Sequence, residues 1–509
     1  MLEGGAPPGD TLPAELRYPR GGQTEQSAVS DEVPGALSVR SRILSSGRFM
    51  IPNQAVQSLT AATLVRRLQR WLGLDRAIVF TVLARGWAAL AGLVSVTLIA
   101  RYLSPAEQGY YFTFGSLVAM QIVFELGFSV VILQVATHEC AHLTLSSAGV
   151  ISGNPVAHAR LASALQKAIR WYTVAAMLMV VLLIPAGIRF FSTTHPVHAV
   201  RWLAPWILLV VAAGVTFQID PVFSFLEGCG YVHHVAQARL WQAAVGSVLA
   251  WSALITHHGL FAPAMLISGQ AMAGLVYLGS RRHLLGGLLR LDPGESRIDW
   301  WKEVWPFQWR IAVSYSCGFL IFQLFNPLLF RFRGPVVAGQ MGMSLAMVNM
   351  LGSIAVAWVN TKAAPFGAMI ARREFGRLDG VFFRAVAQAT ALCLAGALVL
   401  WTGCVYLNRH GLPFAHRLLP PLPLALLLSA VVINQVVSAE ALYLRAHKQE
   451  KFLINSVVAA VAAALCAYFL GRRYGALGMA AGNAILALVV GLGFGTWTFV
   501  KYRRQWHAG

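Results

Sequence analysis

From about Ile78 onward the chain alternates long apolar blocks with short connections that are mostly basic. A helix needs about 20 largely apolar residues to cross the hydrocarbon core. The blocks run roughly 77–101, 109–136, 168–190, 203–226, 235–256 and 260–280, then 307–330, 338–370, 382–406, 420–444, 452–470 and 475–499. They are continuous rather than alternating with a period of two, so they predict helices, which satisfy their own backbone in lipid, and not barrel strands. The expected fold class is an all-α polytopic membrane protein with twelve transmembrane helices.

The segments around the blocks differ in character. Residues 1–60 are rich in Gly, Pro, Ser and mixed charge, with little to bury, and read as a disordered leader. The leader lacks the basic start, apolar core and small-residue cleavage site of a secretory signal, and Met50 is an alternative start. Residues 61–76, with Arg66, Arg67, Arg70 and Trp71, predict an amphipathic juxtamembrane helix. An N-terminal six-helix bundle is expected over 77–280, a cytoplasmic linker over 281–306, a C-terminal six-helix bundle over 307–500 and a cytoplasmic tail over 501–509.

Composition excludes an ordinary soluble globule: 57% of residues are hydrophobic, only 12% are charged, and mean hydropathy is +0.61. The net charge of +20 would suggest nucleic acid in a soluble protein. Here most cations sit between apolar runs, where they orient spans and meet anionic head groups, so no nucleic-acid partner is expected. With both termini cytoplasmic, Arg160, Lys167, Arg170, Arg281, Arg282, Arg372, Arg373, Arg445 and Lys501 fall on the inner side, and the outer side keeps fewer. Trp300, Trp301, Trp305 and Trp309 predict an aromatic belt at one helix entrance. The six cysteines are scattered without metal-ligand spacing and read as small packing residues.

The two sets of six spans are related. Arg101–Gly109 and Arg331–Gly339 match in internal spacing at an offset of 230, which also pairs Leu98 with Leu328, Val118 with Val348 and Met120 with Met350. A second register, offset by 216, pairs Ala243, Val245, Leu249, Leu254 and Gly259 with Ala459, Val461, Leu465, Leu470 and Gly475. Because six is even, the halves share one orientation and form a parallel repeat about an axis along the membrane normal. That is transporter architecture, with a path between the halves.

The stretches Leu98-Ile-Ala-Arg-Tyr-Leu-Ser-Pro-Ala-Glu-Gln-Gly109 and Phe124-Glu-Leu-Gly-Phe-Ser-Val-Val-Ile-Leu-Gln134 resemble the opening of Wzx-type polysaccharide flippases, within the multidrug/oligosaccharidyl-lipid/polysaccharide exporter superfamily. Tyr474-Gly-Ala-Leu-Gly-Met-Ala-Ala481 is similar to that family's closing signature. The resemblance covers about 77–500. It implies a V-shaped pair of six-helix bundles in a bacterial inner membrane that moves a polyprenyl-diphosphate-linked oligosaccharide to the periplasmic leaflet. It also implies membrane lipids and polysaccharide polymerase or ligase machinery as partners, and no cofactor.

Charges inside spans are costly and tend to face water-filled cavities or partners. Arg85, Arg310 and Lys362 are therefore the candidate substrate-binding cations, suited to neutralising a diphosphate. Glu125, Asp220 and Glu440 are the candidate ion-coupling carboxylates, Asp220 preceding Pro221 inside a span; structural ion pairs within each bundle are the competing reading. A drug or metabolite cation antiporter of the same superfamily is the alternative transport reading.

One enzyme reading competes. His138-Glu139-Cys140-Ala141-His142 fits the HExxH pattern, which on a helix places two imidazoles for zinc beside a glutamate base, as in an intramembrane metalloprotease. A third ligand motif is missing downstream, and the pattern falls where span 2 ends, so no enzyme and no metal are expected. The sequence also has no Walker loop, no GxSxG elbow and no dinucleotide glycine pattern.

Overall fold

The computed structural model describes residues 76–145, 151–193, 200–447 and 453–507. The expected leader and most of the amphipathic segment over 61–76 lie outside the described residues. Every apolar block expected to span coincides with helix. Helix α1 (Arg76–Tyr102) is span 1, and α2 (Pro105–Val118), α3 (Gln121–Glu125) and α4 (Phe128–Cys140) together form span 2. A small ribbon, β1 (Leu143–Leu145) antiparallel to β2 (Ile151–Gly153), leads to α5 (Pro155–Thr193), α6 (Leu203–Gly228), α7 (Val232–Ile255) and α8 (Ala262–Ser280), which are spans 3 to 6. After a short α9 (Arg282–Arg290), span 7 is α10 (Trp305–Phe322) with α11 (Phe325–Arg333), and span 8 is α12 (Pro335–Asn360) with α13 (Ala363–Ala371). Spans 9 and 10 are α14 (Phe375–Arg409) and α15 (Pro421–Ala446). Spans 11 and 12 share α16 (Leu453–Leu486), folded back at Gly475 (φ 63°, ψ −140°), and the last continues through a π-helical stretch into α17 (Thr496–His507). Among the described residues nine helices, or ten counting the bent span 2, are long and apolar enough to cross a membrane on composition alone.

Local chemistry sets the breaks. Ser104 caps α2 in a reciprocal box, its backbone N–H donating to Glu107 Oε2 at 2.8 Å while Glu107 N–H donates to Ser104 Oγ at 3.2 Å, and Pro105 starts the helix. Span 2 is broken at Leu126 and Gly127, both left-handed (φ 51° and 67°), bending it by 45°; a Cβ on Gly127 would stand 2.2 Å from the Ile311 side chain of span 7. Pro221, by contrast, leaves α6 unbroken.

A continuous core of Tyr110, Phe114, Phe128, Tyr172, Phe191, Trp206, Phe223 and Phe330 joins the first half to span 7. A second cluster around Phe366, Phe382, Tyr443 and Phe499 fills the C-terminal half at the end where the described chain begins and finishes, here the terminal end. Cys229, Cys317, Cys393 and Cys404 are buried, as expected of packing residues. Trp301, Trp305 and Trp309 are exposed as a belt requires, but Trp300 turns inward and stacks on Phe128 with centroids 4.4 Å apart.

Candidate functional site

The halves meet tightly at the end opposite the termini, where span 2 crosses span 8. A Cβ on Gly109 would lie 1.9 Å from the Pro335 carbonyl oxygen, one on Gly339 would lie 2.8 Å from Gly109 N, and one on Gly342 would strike Phe112 at 2.3 Å. Residues 109 and 339, and 112 and 342, are counterparts in the 230-residue register, so each touches its own copy. Such self-paired contacts mark a twofold axis, and this one runs between spans 2 and 8. Buried Gln108 locks the crossing: its Nε2 donates to the carbonyls of Gly339 (2.8 Å) and Arg417 (3.0 Å), and its Oε1 accepts from Arg417 at 3.4 Å. Asn326 donates to Ser116 Oγ at 3.0 Å, and Tyr110, Phe114, Phe191 and Phe330 pack ring to ring beneath.

Toward the terminal end the two flanks differ. On one, the residues before span 7 are strapped to span 3. Arg160 binds both Glu139 (2.8 Å) and Glu303, Ser163 Oγ accepts from Ile298 N–H (3.4 Å), Lys167 donates to the Ile298 carbonyl, and Gln166 donates to the Leu291 carbonyl (2.7 Å). The guanidinium of Arg160 holds the Glu303 carboxyl below its ordinary range. On the other flank, spans 1 and 8 pack through the Ile99–Met343 cluster, and a Cβ on Gly92 would lie 3.9 Å from Met350 Sδ. Arg85 lies two helical turns before Gly92, on the same face of α1 and away from the Trp87–Trp251 contact with span 5. It is exposed and makes no hydrogen bond or ion pair among the described residues.

The other candidate residues separate into groups. Glu125 ends α3 at the break in span 2 and is half-buried; it lies within electrostatic reach of Asp220, Tyr172 and, across on span 7, Tyr315. Asp220 also senses Arg239, which pairs with Glu227 at 3.2 Å. Two of the three carboxylates are thus brought together in the N-terminal half. The third, Glu440, is buried in the C-terminal half, where one oxygen accepts from Thr496 Oγ1 at 2.9 Å and the other has no partner among the described residues. Lys362 is half-buried at the break between α12 and α13, and Arg310 is exposed with its guanidinium 5.7 Å from the Trp309 ring centre. Arg85, Arg310 and Lys362 share no bond with one another among the described residues.

In the HExxH stretch, His138 and His142 have ring centres 5.9 Å apart, but Glu139 is buried and engaged by Arg160. No group of three His, Cys, Asp or Glu side chains is placed to hold a metal among the described residues.

One polar feature of the spans carries no charge. Spans 7, 8, 10 and 12 line an open cavity of about 210 Å³ in the C-terminal half, with neutral polar side chains from Asn349, Ser353, Asn434, Gln435, Ser438 and Asn483. The available signal is the four-residue spacing of Asn349 with Ser353 and of Asn434 with Ser438, which puts each pair on one helix face.

No family model matches the chain, and no curated protein matches it in sequence. Solved structures match in fold. A lipid II flippase MurJ in an inward closed conformation aligns with a TM-score of 0.55 at 12% identity, over 84% of this chain and 90% of that one. A MATE multidrug transporter, DinF-BH, gives 0.51 at 13% identity, over 84% and 95%. An inward-facing multidrug resistance MATE family transporter of the MOP superfamily gives 0.50 at 15%, over 82% and 99%. The chain therefore shares the two-lobed, helical transporter fold on which that lipid flippase and those multidrug exporters are built.

Proposed function

We propose that this protein is an alternating-access flippase that moves a lipid-diphosphate-linked oligosaccharide from the cytoplasmic to the periplasmic leaflet of a bacterial inner membrane, for surface-polysaccharide assembly. The observation that carries the reading is Arg85: an exposed, unpaired cation inside span 1, on the face that meets span 8 two turns further on. A cation there costs several kcal/mol in hydrocarbon, about 3 or more, unless water or an anion meets it. A diphosphate on a lipid carrier supplies that anion while its tail stays in the bilayer. Lys362 is a second contact on span 8, and Arg310, held at the Trp belt, is a contact at the rim of the cleft. The basic end that bears the termini faces the cytoplasm.

Glu125 and Asp220 take the coupling ion in the N-terminal half, and Glu440 a proton in the other, each favouring one rocking state. The carboxylate pair also favours the second reading, a cation antiporter. The two readings part at Arg85, which an antiporter for cations does not need. The protein acts as a transporter and not as an enzyme.

Replacing Arg85 or Lys362 with Ala in cells making the polysaccharide tests the reading. Protein level should be unchanged, export should stop, and leaflet-specific labelling should find the lipid-linked sugar held on the cytoplasmic side. Normal polysaccharide output from both variants would reject it.

A further inference from the structure

The amide-lined cavity of the C-terminal half has no part in the charge-based scheme, yet it holds a buried amide, Gln435, that is only half satisfied. Polar side chains within spans are retained where they pair with one another or meet water or a ligand. Here Asn349 is exposed and Asn434 and Asn483 are half-buried, and their amides carry no hydrogen bond among the described residues, which leaves them open to a ligand. Gln435 is only 2% exposed; its Oε1 accepts from Thr390 at 2.8 Å and its Nε2 is unpartnered. Ser353 and Ser438 give their hydroxyl hydrogens to their own helices, to Met350 O and Asn434 O, both at 2.8 Å, which leaves oxygen lone pairs for a ligand.

The scaffold does not demand this lining. Thr173 donates to Gln218 at 3.5 Å as Thr390 does to Gln435, which places spans 3 and 4 in register with spans 9 and 10 at a separation of 217. In that register the partners of Asn434 and Ser438 are Phe217 and Pro221. At 230 the partners of Asn349 and Ser353 are Ala119 and Val123. The first half builds the same bundle with apolar residues at all four places.

We propose that this cavity is a subsite for one neutral, hydroxyl-rich sugar residue, distinct from the cationic site for the diphosphate. The inference rests on the flippase reading and deepens it. No charged side chain lines the cavity, so neither a phosphate nor a cationic drug finds its partner there. Amide donors and acceptors together with hydroxyl acceptors match sugar hydroxyls, and the rings of Phe322 and Phe325 offer a flat apolar wall to a pyranose C–H face. The volume suits one monosaccharide and falls short of the roughly 300 Å³ at which sites for larger ligands begin. Met350, next to Asn349, lies where a Cβ on Gly92 of span 1 would meet it at 3.9 Å, so the cavity borders the cleft near the face that carries Arg85.

The test compares two probes on the full chain in detergent-free nanodiscs: undecaprenyl diphosphate, and the same lipid carrying a single N-acetylglucosamine. Wild-type protein should bind the sugar-bearing probe more tightly. Asn349→Leu and Asn434→Leu, with Ser353→Ala as a milder variant, should each weaken that probe by about 3- to 10-fold, the loss expected for one hydrogen bond. All three should bind the bare diphosphate lipid unchanged, which also shows that they fold; Arg85→Ala should weaken both probes alike. Equal wild-type affinity for the two probes, or variants that weaken both equally, removes the sugar subsite and leaves the flippase reading standing. Binding of neither probe by the wild type overturns both.

Discussion

Gly109→Ala isolates the seal between the halves. The added Cβ would stand 1.9 Å from the Pro335 carbonyl oxygen, 2.5 Å from its carbon and 2.8 Å from its Cα, all backbone that no rotamer change can move. Reaching 3.4 Å, where ordinary contact begins, requires spans 2 and 8 to part by about 1.5 Å. That movement breaks the 2.8 Å bond from Gln108 to Gly339 and its bonds with Arg417, of which the one Gln108 Oε1 accepts from the guanidinium is already long at 3.4 Å. Overpacking of this kind costs about 1–3 kcal/mol, and a lost buried hydrogen bond about 1 kcal/mol. A sum near 3 kcal/mol is a shift of about 100-fold toward the form open at this end. The better helix propensity of Ala acts equally in both forms and cancels. Ser116, 4% exposed and bonded to Asn326 beneath the crossing, is the reporter. A Ser116→Cys thiol should react with an impermeant thiol reagent about 100-fold faster once Gly109→Ala is added, read by mass spectrometry of its own peptide. Gly115→Ala, where an added Cβ meets nothing within 4 Å, should leave the rate unchanged. If Gly109→Ala is as unreactive as its parent and still transports, the crossing is not the seal.

Three further outcomes follow from side chains the structure brings together. Glu303 has its folded pKa depressed, chiefly by the hydrogen bond from Arg160, so its stabilisation of the strap is present above the unfolded value of about 4.3 and is lost as pH falls through the folded one. Hydrogen exchange over 295–304 should quicken below about pH 4 in wild type, and Glu303→Gln should flatten that dependence; identical profiles would contradict it. Asp379 takes both Nε and Nη2 of Arg503 and the Tyr443 hydroxyl at 3.0 Å, so Asp379→Asn should loosen α17 by about 1–2 kcal/mol; unchanged exchange across 496–507 would show the clamp to be idle. Thr390→Val strands both ends of the buried Gln435 amide and should cost about 1–3 kcal/mol. Thr173→Val, which loses a 2.8 Å bond to the Ile169 carbonyl of its own helix and only a 3.5 Å contact with the half-buried Gln218, should lower the midpoint of thermal unfolding less; the reverse order would refute the comparison.

Spans and repeat were legible in the sequence because both are one-dimensional signals. Twenty apolar residues in a row and a fixed offset of 230 need no knowledge of what touches what. The offset even named the axis, since Gly109 and Gly339 turn out to face each other. The strap was not legible: Arg160 and Glu303 are 143 residues apart, and Trp300 reads as one of four belt tryptophans until Phe128 is seen stacked on it. The break at Leu126–Gly127 was present in the letters as a glycine inside a span, but its need for space came from Ile311, far along the chain. Charge singles out Glu125 and Asp220, which share one neighbourhood, and gives no sign of Asn349, Asn434 and Gln435. Neutral amides carry no Coulombic signature, and their cost appears only when their partners can be counted.

Duplication explains which parts of the molecule are symmetric and which are not. A residue on the axis meets its own copy, so bulk added there obstructs the crossing in either half, and both Gly109 and Gly339 remain without side chains. Off the axis each half meets different surroundings and is free to diverge, with carboxylates at Glu125 and Asp220 in one and unpaired amides in the other. The residues between α9 and α10 link the two halves. They bind span 3 through Arg160, Ser163, Gln166 and Lys167 and carry the start of span 7 against the N-terminal half. Among the described residues, span 1, the counterpart of span 7, leaves Arg85 exposed and without a hydrogen bond or ion pair. On the proposed flippase reading, the flank between spans 1 and 8, which carries the exposed Arg85, is where a head group enters while its lipid tail stays in the bilayer.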